Sequence, residues 1–431
     1  MRSPAKTNDY DETGRANVAE NSSGKKTSSI GNCSLTKLRS LVFYITSASA
    51  AKELRSVFDD LKAQRNLVYT PEEEAQHFSR FKKELQTKSE FMSSDKMIEL
   101  YDETRPAIMQ SLVDEINSKQ DTWTASTAQG RFYGASIGDV KILCGTFMNG
   151  TEQLKEKIYP PEDLLDLPDS FDARDGFKEC KGVIGHVRDQ SACGSCWAFG
   201  TVEAVNDRFC IKSGGQFTEM LSAGEMTACC NLFHGCLTFG CYGGNPITAW
   251  TFLKTKGVVT GSDFVPKKYM NWCNGCWPYD FEECAHHGKE PDYPDCPSHP
   301  YSTPTCSSRC HNKKYETPFD EDRYYTEDFL PHWFLHTDSI EKEIMTNGPV
   351  SAAFLVYEDF TSYKSGVYKH TTGALLGGHG VEIIGWGTEN GTPYWLVKNS
   401  WNDEWGDGGF FKIAQDDCGI NALILGGTPK V

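Results

Sequence analysis

The chain has 431 residues, 39% apolar and 12% aromatic, enough to bury a large core divided over two packed lobes. A formal charge of −16 argues against a nucleic-acid partner, and the lack of any run of eighteen apolar residues argues against a membrane-spanning helix. Both charge and cysteine are uneven: residues 167–431 carry 21 basic and 34 acidic side chains, and fifteen of the 17 cysteines. Such cysteine density predicts a disulfide-stapled domain in an oxidising compartment, and the odd count leaves at least one free thiol there.

In chain order, residues 1–34 are polar and read as disordered. Lys37-Leu38-Arg39, the apolar run Leu41–Ile45 and Ser47-Ala48-Ser49-Ala50 then follow the basic, apolar, small order of a signal segment, so 1–50 is read as a disordered N-terminus with a candidate signal near 37–50. Apolar residues spaced by three and four (Leu54, Phe58, Leu61, then Phe78, Phe81 and Leu85) predict charged amphipathic helices over 51–91, and Pro106 to Ile116 repeats the pattern. The mixed stretch 119–166 ends in Pro160-Pro161 and Leu164-Leu165, an extended connector open to cleavage. Residues 192–212 are predicted as a central helix; a second starts after Thr218 and ends in Cys229-Cys230, and a third follows the turn Gly240–Gly244. Residues 262–336, with six cysteines and no steady period, read as loop held by cross-links. Asp338 with Glu341 has a capping-box spacing, and Val350–Tyr357, Gly380–Gly387, Tyr394–Val397 and Phe410–Ile413 read as antiparallel strands. Helices first and strands later predict an α+β chain with a cleft between two lobes.

The chemistry centres on Asp189 to Gly200, D-Q-S-A-C-G-S-C-W-A-F-G. Cys196 leaves a glycine-containing turn to enter a helix, where unpaired N–H groups and the helix dipole favour a thiolate. The Cys193/Cys196 spacing equally fits a redox pair or half a zinc site, so residues far downstream must decide. His379 stands among glycines before an apolar run, and Asn399 follows twenty positions later. An asparagine can accept from one imidazole nitrogen and fix the tautomer while the other nitrogen faces a thiol; Trp401 can shield that bond from water. Gln190 can aim its amide at a developing oxyanion, with the Cys196 N–H as second donor.

The run Gln190–Phe199, the turn Cys241-Tyr242-Gly243-Gly244, His379 within G-G-H-G and Asn399-Ser400-Trp401 together resemble the papain family of cysteine peptidases. His379 follows Cys196 by 183 residues, beyond the roughly 130–150 common there, so an insertion lies between them. Cys284-Ala285-His286-His287 and Cys296 resemble the occluding loop of the cathepsin B group, placed at about 284–296. The resemblance implies a two-lobe fold, a helical left lobe and an antiparallel β right lobe, with an inhibitory prodomain over 51–166 and a peptidase domain over 167–431. It implies Cys196 as nucleophile, His379 as base, Asn399 and Gln190 in support, and no cofactor or metal. Substrate would meet Gly243, Gly244, Gly378, Trp401 and Leu423, the last at the floor of the S2 pocket, favouring Phe, Leu or Val at P2. His286 and His287 would hold a C-terminal carboxylate, and Asp189 would pair with His286 to anchor the loop.

The resemblance further implies disulfides Cys180–Cys210, Cys193–Cys241, Cys229–Cys306, Cys230–Cys236, Cys276–Cys310 and Cys284–Cys296, with Cys418 free and Cys273 an extra thiol. The implied partners are peptide and protein substrates, the chain's own propeptide and cystatin-like inhibitors; the mature form would be a monomer. The implied setting is the secretory pathway and a lysosome-like acidic compartment or secretion. Asn149 heads one N-glycosylation sequon, and Asn21, Asn32 and Asn390 head others. Where the group's loop has a base, this chain has Asp292 with Lys289 nearby. The competing readings are a papain-fold binding protein without catalysis and a Cys193/Cys196 oxidoreductase.

Overall fold

The computed structural model describes residues 103–284, 294–297 and 299–431, and before them the helical positions Arg55, Asp59, Glu74, Ala75 and Phe78. The candidate signal, most of the helices expected over 51–91, and His286, His287, Lys289 and Asp292 lie outside the described residues.

The N-terminal segment contributes α1 (Gln110–Lys119) and α2 (Ile137–Leu143). α2 falls in the stretch read as mixed, yet it has a full capping box: Ser136 Oγ accepts from the Asp139 N–H while Asp139 accepts from the Ser136 N–H. α3 (Cys196–Lys212) is the central helix, α4 (Ala223–Cys229) starts at a Ser222 cap, and α5 (Pro246–Thr255) at an Asn245 cap with proline in its first turn. α6 (Thr337–Asn347) corrects the capping-box expectation. The helix begins earlier, after His336, so Asp338 already lies in the first turn and caps nothing beyond the adjacent Ser339 N–H.

The strands are β1 (Trp123–Ala125), β2 (Phe171–Asp172), β3 (His332–Phe334), β4 (Val350–Tyr357), β5 (Tyr363–Tyr368), β6 (Leu375–Glu389), β7 (Thr392–Lys398), β8 (Phe410–Ala414) and β9 (Leu423–Gly426). They form one sheet in the order β1-β5-β8-β7-β6-β4-β9-β3, with β2 also on β6. Pairing is antiparallel except between β5 and β8, which run parallel. β1 comes from the N-terminal segment, so that segment extends the sheet at the β5 edge.

Two apolar cores correspond to the two lobes. One gathers Trp197, Val202, Met226, Trp250 and Trp277 around the helices; the other gathers Phe354, Phe360, Trp395, Trp401 and Phe411 around the sheet. Leu112, Ile116, Trp123, Phe132 and Val140 of the N-terminal segment join the second core, which makes the segment a packed part of this fold. All six implied disulfides are present, and Cys144, Cys196, Cys273 and Cys418 are free among the described residues. Among the described residues, no helix is long and apolar enough to cross a membrane.

Candidate active site

Cys196 is the first residue of α3, held there by the Cys193–Cys241 disulfide in the preceding turn. α3 meets β6 backbone to backbone, which brings Cys196 beside the strand of His379. A Cβ on Gly380 would lie 2.8 Å from the Cys196 carbonyl oxygen, and one on Gly200 would lie 2.9 Å from the Val381 nitrogen. Glycine is needed at both positions for that approach.

His379 is fully buried, with the Trp401 ring 4.6 Å away and Phe354 edge-on at 5.9 Å. Its Nε2 lies 2.7 Å from Asn399 Oδ1, which also accepts the Ser400 N–H at 2.9 Å. The Ser400 bond fixes that atom as the oxygen, so Nε2 is the donor and Nδ1 of the neutral ring is left with a lone pair. Nδ1 makes no hydrogen bond of good geometry, although the Leu143 carbonyl lies near the ring. The arrangement leaves the imidazole one nitrogen free to accept a proton.

Gln190 is fully buried: its Nε2 donates to the Cys193 carbonyl at 2.7 Å and the Leu143 carbonyl at 3.0 Å, and its Oε1 accepts from Ser400 Oγ at 2.8 Å. An amide already carrying a foreign carbonyl is arranged to receive an oxyanion. The carbonyl comes from the N-terminal segment, which continues across the nucleophile. The Gly145 N–H donates to Cys196 Sγ at 3.3 Å, and Thr146 Oγ1 lies 3.1 Å from it. Gly244 donates to the Gly145 carbonyl and accepts the Phe147 N–H, each at 2.8 Å, while the Gly378 carbonyl accepts the Thr146 N–H at 2.9 Å. Both walls pair with the segment in parallel. Gly243, next to Gly244, has φ +109°, a conformation that favours glycine.

Burial under this segment sets the proton positions. Desolvation pushes the Cys196 thiol up, against hydrogen bonds from Thr146 and the Gly380, Gly145 and Trp197 backbone, so the helix N-terminus does not yield a thiolate in this form. Burial lowers His379 to about 4, against the bond to Asn399. Thiol and neutral imidazole are the resting pair.

Leu423 opens β9 opposite Ala353 and packs in the helical-lobe core with Ile247 and Trp250, against which Met148 of the segment also rests. Asp189 is buried and pairs across the cleft floor with Trp401. Its Oδ1 accepts from the Ser191 N–H at 2.7 Å and from Arg131 Nη2 at 3.4 Å, and its Oδ2 accepts from Asn402 Nδ2 at 3.1 Å. In this form the partner of Asp189 is therefore Arg131. Sequence reasoning missed Arg131, Thr146 and Ser400. Ser400 carried a signal, as the middle residue of N-S-W; the other two act through contacts fifty or more positions away.

A family model described as "Papain family cysteine protease" matches residues 167–428. The chain belongs to the papain family of cysteine proteases. It is 42% identical over 329 residues to cathepsin B-like cysteine proteinase 6 of Caenorhabditis elegans, covering 74% of this chain and 83% of that protein. It is 41% identical to the cathepsin B-like cysteine proteinase of Schistosoma japonicum, covering 75% and 91% respectively. Among solved structures it is similar to procathepsin B S9 from Trypanosoma congolense, at 32% identity and a TM-score of 0.62, covering 76% of this chain and all of that one. The protein is thus a cysteine protease closely related to cathepsin B-like enzymes.

Proposed function

We propose that the chain is the proform of a peptidase that releases C-terminal dipeptides and also cuts internal bonds, with residues up to about 166 as its inhibitory propeptide. The observation that carries the reading is the course of Leu143–Phe147 through the cleft, a carbonyl on Gln190 and two residues on the Cys196 sulfur. Parallel pairing on both walls suits an inhibitor laid against the productive direction. Cleavage near 164–168 leaves about 265 residues of mature enzyme.

With the cleft open, the Cys196 proton passes to His379 Nδ1 and the sulfur attacks the peptide carbonyl carbon. The oxyanion is held by Gln190 Nε2 and the Cys196 N–H. The imidazolium then protonates the leaving amine, the acyl-enzyme remains, and water deprotonated by His379 hydrolyses the thioester, returning the proton to sulfur. Asn399 keeps Nε2 as donor throughout. His286 and His287, when protonated, bind the carboxylate of a substrate ending two residues past the bond, with Asp189 holding His286 once Arg131 has left. Leu423 offers no counter-charge at P2, so Phe, Leu or Val is preferred over arginine. An acidic lysosome-like compartment or secretion is the expected setting, a monomer the expected mature form, and cystatin-like proteins the expected inhibitors.

The deciding experiment uses acid-activated enzyme, titrated with an epoxysuccinyl inhibitor, on a peptide acid and its C-terminal amide. Dipeptide release from the acid alone supports the reading. Equal internal cleavage of both removes the dipeptidase part, and no uptake of inhibitor leaves a papain-fold binding protein.

A further inference from the structure

Arg131 is a completely buried arginine inside a segment that the reading above removes on activation. Its guanidinium spans three acceptors: Nη1 donates to the Cys284 carbonyl at 2.9 Å and to Cys296 Sγ at 3.3 Å, while Nη2 reaches Asp189 Oδ1 at 3.4 Å. All three acceptors belong to the peptidase domain, and none is a donor. Asp189 receives two further bonds, from the Ser191 N–H and the Asn402 amide, but these are neutral groups and leave its charge uncompensated. The seat is therefore matched to a planar cation with N–H groups pointing two ways. A guanidinium has that shape, and a lysine ammonium on one stem reaches the carboxylate or the carbonyl–sulfur side less well.

We propose that this seat is a guanidinium-binding subsite of the mature protease on the leaving-group side of the cleft, and that peptides with arginine just beyond the scissile bond are its favoured substrates. The inference rests on the protease reading and names its substrate class. The side follows from the order in which the segment meets the cleft: Arg131 at Asp189, Leu143 at Gln190, Gly145 and Thr146 at Cys196, then Met148 at the core that holds Leu423. A substrate whose P2 side chain faces Leu423 sends its residues beyond the cleaved bond toward Asp189. Arg131 Nε has no partner in the seat, so an arginine entering from another backbone forfeits nothing there. Its competitor is His286, assigned above to the same carboxylate.

The first arm of the test needs no variant. Activated, inhibitor-titrated enzyme is given matched peptides with Phe at P2 and arginine, citrulline, lysine or leucine at the first or second position past the bond. Citrulline keeps the shape of arginine and removes its charge. A charge-assisted contact predicts kcat/KM for arginine about ten-fold or more above citrulline at one of the two positions, with lysine between. In Asp189→Asn the arginine-to-citrulline ratio falls to about one. Equal rates for arginine and citrulline at both positions, on enzyme that titrates fully, overturn the subsite and leave the protease reading standing. An enzyme that takes up no titrant overturns both.

Discussion

Charge is buried in two different ways in this molecule. Where the N-terminal segment meets the peptidase domain, bases and acids come in pairs across the contact: Arg131 with Asp189, Lys157 with Glu343, and Arg105 with Glu358. In each pair the segment supplies the base and the domain the acid. Beneath the active site, Lys398 faces three acids, Glu382 at 2.7 Å, Asp207 at 3.3 Å and Glu203 at 3.5 Å, all buried. These four sit on the elements that carry the reactive groups: α3, β6 three residues past His379, and β7 one residue before Asn399. The first arrangement balances its charge pair by pair. The second cannot balance it without protons.

Burial, and then the neighbouring Asp207, push Glu382 well up; burial likewise raises Asp207, and it brings Glu203 to about 7 despite Lys398 and Arg188. At the interface the outcome is opposite. Burial alone would raise Glu343, but Arg208, Lys157 and the Tyr159 hydroxyl more than offset it and hold the group at about 2. The lesson is that counter-charge count, more than depth, decides which buried acids titrate near neutrality.

Breaking the interior centre has the largest expected effect. Lys398→Met removes the cation at ion-pair distance from three buried carboxylates, a loss of about 3–5 kcal/mol. Thermal unfolding should show the loss at pH 7.5 and a partial recovery at pH 5, where the acids take up protons; equal unfolding of variant and parent at pH 7.5 breaks the comparison.

Glu203→Gln tests the same centre more gently. A carboxyl near 7 when folded and near 4.3 unfolded contributes stability fully below the unfolded value, lost as pH rises toward 7. The parent should therefore lose on the order of 2–3 kcal/mol between pH 4.5 and 7.5 at this site, and the variant should show a flatter profile. A denaturation series across that range reads it directly.

At the interface, Arg131→Gln removes the guanidinium that bridges Asp189, the Cys284 carbonyl and Cys296 Sγ, of which the charge-assisted contact to Asp189 is by itself worth about 1.5–3 kcal/mol. The expected sign is a proform that leaks activity at neutral pH, about ten- to hundred-fold above the parent, measured with a small fluorogenic substrate before any processing. Lys157→Gln should do least. Lys157 is partly exposed, and Glu343 keeps Arg208 at 2.8 Å, so the leak should correspond to less than about 1 kcal/mol. Since Glu343 stays ionised down to about 2, acid does not release the segment by protonating it. A Lys157→Gln proform whose activation shifts strongly in pH contradicts that.

The legible parts of the fold were those with local signals. Alternating runs broken by glycine placed β4 from Val350 to Tyr357 and the middles of β6, β7 and β8. Helix starts were less well placed: α4 begins at the Ser222 cap rather than after Thr218, and α6 begins after His336, which makes no side-chain cap. β5, β9 and β1 were not read at all. Each is short, and each becomes a strand only by pairing with partners far away in sequence. α2 was missed although its capping box lay in the open, because a seven-residue helix shows barely two turns of periodicity.

By itself, the sequence determined which residues carry the chemistry. A cysteine entering a helix, a histidine among glycines and an asparagine just past the next strand are chemical types at recognisable local positions. The tertiary structure decided their state and their neighbours. It laid Leu143 to Phe147 over the cleft, raised the thiol and lowered the imidazole by burial, and gave Asp189 an arginine from 58 positions away. Reactivity of type is a property of single residues, but protonation and pairing depend on desolvation and distance, which exist only once the chain has folded.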